Sequence, residues 1–235
     1  MTKIISVGKT VSINQPAYLP WLGYFERIAK SDHHIVLDHV QFEKNSMINR
    51  NKILTRNGAL MLTLPVCSAG KFGDLAINKV SLHTSKKCLM KHWKSIYYSY
   101  KKAPFFTKYQ EELYELYLLP WHNLNDLLKA QLRFFLKALG INTSISFSSE
   151  EDFQTQKSDL VLEICQYYQT VNYLSGSFGK NYLDNKSFYA ANINMEFQDY
   201  QHPEYQQLES GFTSHLSVLD LLFNHGDDSL KILRN

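Results

Sequence analysis

The stretch SINQPAYLPWLGYF (residues 12–25) sets two amide side chains, Asn14 and Gln15, at the end of an apolar run. Two prolines and three large rings, Tyr18, Trp21 and Tyr24, follow within ten residues. Amides can orient the polar groups of a sugar or an acyl chain. Tyrosines and a tryptophan can line a pocket for a flat or apolar face. The free N–H groups of a helix starting near Trp21 can face an anion. Pro16 and Pro20 fix the backbone, which suits a site organised before its ligand arrives. The same residues also suit a stiff turn with Trp21 packed on a sheet, and the two uses are compatible.

A second group is DHVQFEKNSMINRNKI (residues 38–53), which gathers Asp38, Gln41, Lys44, Asn49, Arg50, Asn51 and Lys52. Three cations among amides can hold a phosphate or carboxylate, with Arg50 as a two-pronged donor. The plain alternative is a solvated connection. A third group is YLSGSFGKNYLD (residues 173–184). Here Ser175, Gly176 and Ser177 can form a nest of backbone N–H groups for an anion, with Tyr182 close by. The spacing matches neither a P-loop nor GxGxxG, so a simple glycine turn stays open. Of the nine histidines, none pairs with metal-ligand spacing on one helix face. Lys87, Lys91 and Lys94 form a basic stripe opposite Trp93, the pattern of a solvated helix face.

These groups need elements to position them. KTVSIN reads as a buried strand from about Thr10, stopped by the prolines. Leu22, Phe25, Ile28 and Ala29 have helical spacing over 21–30, and HIVLDHV from His34 reads as a second buried strand. Strand, helix and strand within about thirty residues make a βαβ unit, so the strands should be parallel neighbours. Ligands bind beyond the carboxyl ends of such strands, where the Asn14 loop and the Asp38 segment begin. Asn57-Gly58 between apolar runs predicts a hairpin. LAINKVSL from Leu75 reads as a further strand. Three helices are expected, from Ser85 to Pro104, over 106–118, and over 121–139 with Gly140 as its cap. The α/β rhythm then resumes: a strand from Ser144, a helix through Leu160 and Tyr168, a strand ending at the 175–177 turn, a half-exposed strand from Ile193, and a helix over 216–224 capped at Gly226. The expected fold class is α/β, a Rossmann-like, mostly parallel sheet with a β-hairpin and a helical insertion at about 85–140 in a single domain spanning 1–235.

The chain has 235 residues, 44% hydrophobic and 20% charged, enough for a sizeable core and unlike a disordered chain. Its net charge of +3 does not mark a nucleic-acid binder. The three cysteines, Cys67, Cys88 and Cys165, include no CxxC pair, which argues against a disulfide framework or a structural zinc and for a reducing cytoplasm. MTKIISVGKT lacks the apolar core of a signal peptide, and no apolar run is long enough to span a membrane.

The three groups, together with HPEYQQ (202–207) and HLSVLDLLFNHG (215–226), resemble in order and over nearly the whole chain the WbqC-like protein family. The resemblance implies a bacterial protein of surface-polysaccharide (O-antigen) biosynthesis. The family's first motif begins with His before Gln-Pro, where this chain has Asn14, and an asparagine cannot carry a proton near neutral pH. The strand, proline loop, helix and VQF also resemble pantothenate-synthetase-like nucleotide-binding enzymes. Those use histidines at the first helix, and this chain has none between Val11 and Asp32.

On that basis the expected activity is transfer of an acyl or aminoacyl group to a nucleotide-linked amino sugar. Arg50 and Lys52, with Lys44, would hold the diphosphate or the donor's anion, and Gln15, Asn49 and Asn51 would orient sugar or acyl groups. Asp38 is the candidate base, with Asn14 at the family's histidine position. An acyl or aminoacyl donor is the expected co-substrate, with no metal. Competing readings are a non-catalytic sugar-nucleotide-binding or scaffold protein of the same pathway, and a nucleotide-dependent ligase of the pantothenate-synthetase-like kind. Nucleic acid and membrane insertion are disfavoured as partners.

Overall fold

The computed structural model describes residues 9–68, 75–83 and 86–234. Most of the segment expected to lack a signal peptide, and Ser85, the expected start of the first long helix, lie outside them. In chain order the elements are β1 (Thr10–Asn14), α1 (Leu22–Ala29), β2 (His33–Val36), β3 (Arg50–Thr55), β4 (Gly58–Thr63), β5 (Val66–Cys67), β6 (Ser81–Leu82), α2 (Lys86–Tyr100), α3 (Phe106–Leu118), α4 (Leu124–Leu139), β7 (Ser144–Phe147), α5 (Lys157–Tyr167), β8 (Asn172–Ser175), α6 (Asn185–Ala190), β9 (Asn194–Phe197), α7 (Val218–His225) and α8 (Ser229–Arg234). No helix among the described residues is long and apolar enough to cross a membrane. They divide into two compact units.

The first unit holds the described residues up to Asn14, Arg27–Leu37 and Thr143–Tyr200. Its five strands lie in the order β7-β2-β1-β8-β9, and every pair is parallel. Counted along the chain, that is the order 3-2-1-4-5 of a doubly wound sheet, so the α/β, mostly parallel fold class expected from sequence is observed. The winding reverses between β1 and β8, which makes their carboxyl ends the topological switch point. Val11, Ile35 and Val36 are fully buried, as in a sheet covered on both faces. Beneath the crest a hydroxyl relay joins the strands: Ser31 Oγ donates to Ser12 Oγ at 2.7 Å, and Ser12 Oγ bonds His34 Nδ1 at 2.8 Å. Burial pushes the His34 imidazole well below its ordinary value, with Arg27 and His33 adding to the effect, so the ring is neutral.

The second unit holds Gln15–Glu26, Asp38–Asn142 and the described residues from Gln201. Asn57-Gly58 forms the expected hairpin: β3 and β4 pair antiparallel, and Gly58 has φ +96°, a value that favours glycine. Asn123 caps α4, its side chain accepting from the N–H of Asn125 and Asp126, and Gly140 closes the helix in the left-handed region at φ +68°. The strand expected from Leu75 is corrected. Ile77–Lys79 is a 3-10 turn, and only Ser81–Leu82 forms a strand, paired with β5. The buried positions Leu75, Ile77, Val80 and Leu82 contain a step of three, which a strand cannot place on one face. Past Gly226 the chain makes a further turn and then α8, an element that sequence patterning did not reveal.

A buried carboxylate ties the end of this unit together. Asp220 accepts from Tyr100 Oη at 3.0 Å and from Gln207 Nε2 at 2.8 Å. The same Gln207 amide also exchanges bonds with the N–H and carbonyl of Thr213. HPEYQQ and HLSVLDLLFNHG thus meet at one acid. Asp220→Ala leaves two buried donors without their acceptor and is expected to cost about 3 kcal/mol, read by urea denaturation.

Candidate functional site

α1 ends in a single basic residue, Arg27. Helical Cβ atoms tilt toward the helix N-terminus, so an arginine in the last turn can reach back along the sheet toward the strands' carboxyl ends. Arg27 is 6% exposed, and its Nη2 donates to Asn14 Oδ1 at the end of β1. The β1–β8 register pairs Thr10 with Asn172 and Ser12 with Leu174, and continued for two more residues it sets Asn14 across from Gly176. A Cβ on Gly176 would overlap Arg27 Nη1. The guanidinium therefore spans the switch point, with β1's last residue on one side and the backbone following β8 on the other. Gly176 has φ −69° and ψ 160°, a conformation open to any residue, so glycine is required there for closeness and not for the backbone angle.

The polar side chains that accompany Arg27 at Asn14 and Gly176 include an amide and two phenols. Asn14 Nδ2 is buried and has no hydrogen-bond partner among the described residues. Tyr173 and Tyr182 stay protonated: burial pushes both phenols up, against the opposing pull of the Arg27 charge. Ser175 is buried, Ser177 begins a 3-10 turn over Ser177–Asn181, and Tyr182 ends that turn 54% exposed. Asn14, Ser175, Gly176, Ser177 and Tyr182, predicted from two separate groups, thus belong to one crest around Arg27. Such an arrangement can fix an anion through a two-pronged guanidinium and amide donors. Gly176→Ala should displace the guanidinium at a stability cost of about 1 kcal/mol and weaken anion binding, which calorimetry and thermal denaturation would separate.

The other predicted residues lie in the second unit, where the proline loop and the cationic segment meet. Tyr18 N–H donates to Met47 O at 3.1 Å, Asn51 Nδ2 donates to Leu19 O at 2.5 Å, and Ser217 N–H and Val218 N–H donate to Lys52 O and Pro20 O. Leu19 has φ +46°, strained for a branched residue, and the Asn51 amide grips its carbonyl. Asn49 Nδ2 donates to Leu64 O at 2.7 Å. Trp21 packs edge-on against Tyr24, itself buried. These side chains brace the loop. Gln15 is half-buried, while Gln41, Lys44 and Lys52 are exposed, and Gln41 forms an isolated bridge with Ala76. Arg50 is half-buried and donates through Nη2 to Asn45 Oδ1 at 2.9 Å.

Two further clusters in this unit were not predicted. Asp38 is fully buried and accepts from Asn125 Nδ2 at 2.6 Å, with Lys129 Nζ at 3.4 Å. Asn125 and Lys129 sit one turn apart on α4, an i, i+4 pair whose role appears only once Asp38 is placed between them. The Tyr18 hydroxyl bonds His92 Nδ1 at 2.8 Å and Tyr117 Oη at 3.0 Å, all buried. Burial lowers the His92 imidazole to about 4, against a smaller opposing effect of a hydrogen bond with the Thr63 backbone.

Comparison with known proteins agrees with the motifs. No solved structure matches the chain significantly. The uncharacterized protein Rv1507c of Mycobacterium tuberculosis (strain ATCC 25618 / H37Rv) is 32% identical over 228 residues, covering 96% of this chain and 98% of its own length. The model of the WbqC-like protein family matches residues 15–232, so the chain belongs to the WbqC-like protein family.

Proposed function

We propose that this protein binds a nucleotide-linked amino sugar over the carboxyl ends of β1 and β8 and transfers an acyl or aminoacyl group to it in bacterial surface-polysaccharide biosynthesis. The observation that carries the reading is the buried Arg27 guanidinium between Asn14 and Gly176 at the switch point of the sheet. Doubly wound sheets take their ligands there. A planar guanidinium matches the oxygens of a diphosphate in pairs, and burial strengthens each bond. The resemblance to the WbqC-like family, which implies surface-polysaccharide biosynthesis, supports the pathway, and the amine of an amino sugar supplies the nucleophile for acyl transfer.

A second reading, sugar-nucleotide binding without chemistry, is favoured by two observations. Asn14 stands where the family has a histidine, and the Asp38 carboxylate is buried against Asn125 and Lys129. Calorimetric titration with uridine- and thymidine-diphosphate amino sugars tests the binding. Saturable heat is expected with at least one of them, and none with either overturns both readings. Mass spectrometry after adding acyl-coenzyme A or aminoacyl donors then divides them: a covalently extended sugar requires the transferase, and saturable binding without product selects the binder.

A further inference from the structure

The turn that follows Gly176 displays an aromatic side chain that the fold does not use. Within Ser177–Asn181, Gly179 is buried, and a Cβ there would overlap Ser175 Oγ and crowd Leu183 Cδ1 at 2.9 Å. The glycine lets the turn press down on the end of β8. Gly179 N–H donates to Gly176 O at 2.9 Å, and Leu183 N–H donates to Gly179 O at 3.0 Å. Leu183 anchors the far end in the core. The residues on either side of Gly179, Phe178 and Lys180, are exposed. Phe178 emerges 81% exposed, a position at which a phenyl ring gains nothing from the core. Tyr182, at the other end of the turn, is half-exposed and lies within the field of Arg27. Lys180, between them, sits with Nζ 5.6 Å from the Phe197 ring centre.

The chemistry that fits a solvent-facing ring two residues along the chain from the glycine that packs on the Arg27 guanidinium is a flat π face covalently joined to a phosphate. We propose that Phe178 is the stacking surface for the nucleobase of a nucleoside diphosphate whose phosphates lie at Arg27, with Tyr182 bordering the ribose. This rests on the Arg27 reading of the site and deepens it by naming the residue that holds the base. Stacking on an aromatic side chain tolerates different bases, so uridine and thymidine diphosphates should both use it.

The test compares three probes, uridine diphosphate, thymidine diphosphate and inorganic pyrophosphate, on the full chain by calorimetry. In the wild type both nucleotides should bind more tightly than pyrophosphate. Phe178→Ala should weaken both nucleotides about tenfold or more and leave pyrophosphate unchanged, since a stacked base loses that much on truncation of its partner. Phe178→Trp should keep nucleotide affinity, and its added fluorescence should be quenched on nucleotide binding but not on pyrophosphate binding. An exposed side chain should tolerate both changes without loss of fold, which circular dichroism verifies. Pyrophosphate binding with no gain from the nucleoside, or equal nucleotide affinity in Phe178→Ala, overturns the stacking role and leaves Arg27 as an anion site. If the wild type binds none of the three probes, the Arg27 reading and the stacking role fall together.

Discussion

Replacing Arg27 by alanine is expected to weaken binding of a nucleotide-linked sugar by about a hundredfold or more, because a largely buried, charged and two-pronged donor to the phosphates is lost. Arg27→Ala also strips Asn14 Oδ1 of its donor and leaves a gap beside Gly176, so part of any loss could reflect the fold. Arg27→Lys separates the two effects. It keeps the charge and most of the stem and removes the planar fork. Lysine should therefore preserve the thermal midpoint within a few degrees and still lose about tenfold in affinity, since a point charge cannot match two phosphate oxygens at once. Both variants folded and binding as tightly as wild type would remove Arg27 from the site.

The second large effect is on stability against pH. His92 is 7% exposed, and burial holds its imidazole at about 4 in the folded protein, below the ordinary value of 6.5. A lowered basic group stabilises the fold while it is neutral. Its contribution is complete above about pH 6.5, falls away as pH drops toward 4, and amounts to about 3 kcal/mol. His34, also buried and lowered, acts in the same direction. The protein should therefore lose stability steeply between pH 6.5 and 4. His92→Gln keeps a polar partner for the Tyr18 hydroxyl with no charge to gain, so its stability should vary less over that window. Urea midpoints at pH 7, 5.5 and 4.5 measure it. Parallel curves for the two proteins would show that protonation of His92 does not drive the loss.

Local signals marked the frame of the sheet well. Proline after Asn14, helical spacing through Ile28 and the apolar run at His34 identify β1, α1 and β2, and Asn57-Gly58 and Gly140 mark their turns because only a few residues accept those backbone angles. The segment from Leu75 misled because its apolar residues alternate at both ends and hide the single step of three at Ile77 to Val80. Arg27 was hidden for a different reason. Inside a helical pattern it looks like any solvated cation, and what makes it special is Gly176, brought beside it by strands that are distant in sequence. The Asp38 cluster is similar: Asn125 and Lys129 acquire a role only through packing. Spacing rules see neighbours along the chain, whereas both clusters are made by neighbours across it.

The order of the strands also bears on how the protein emerges from a ribosome. β2 pairs on one side with β1 and on the other with β7, and His33 meets Ser144. Until residue 147 has been synthesised, one edge of β2 presents its backbone donors and acceptors to whatever is near, while β3 to α4 can already fold through contacts close in sequence. A chain truncated just before Ser144 should therefore be prone to aggregation and to capture by chaperones, and one extended past Phe197, with all five strands present, should be much less so.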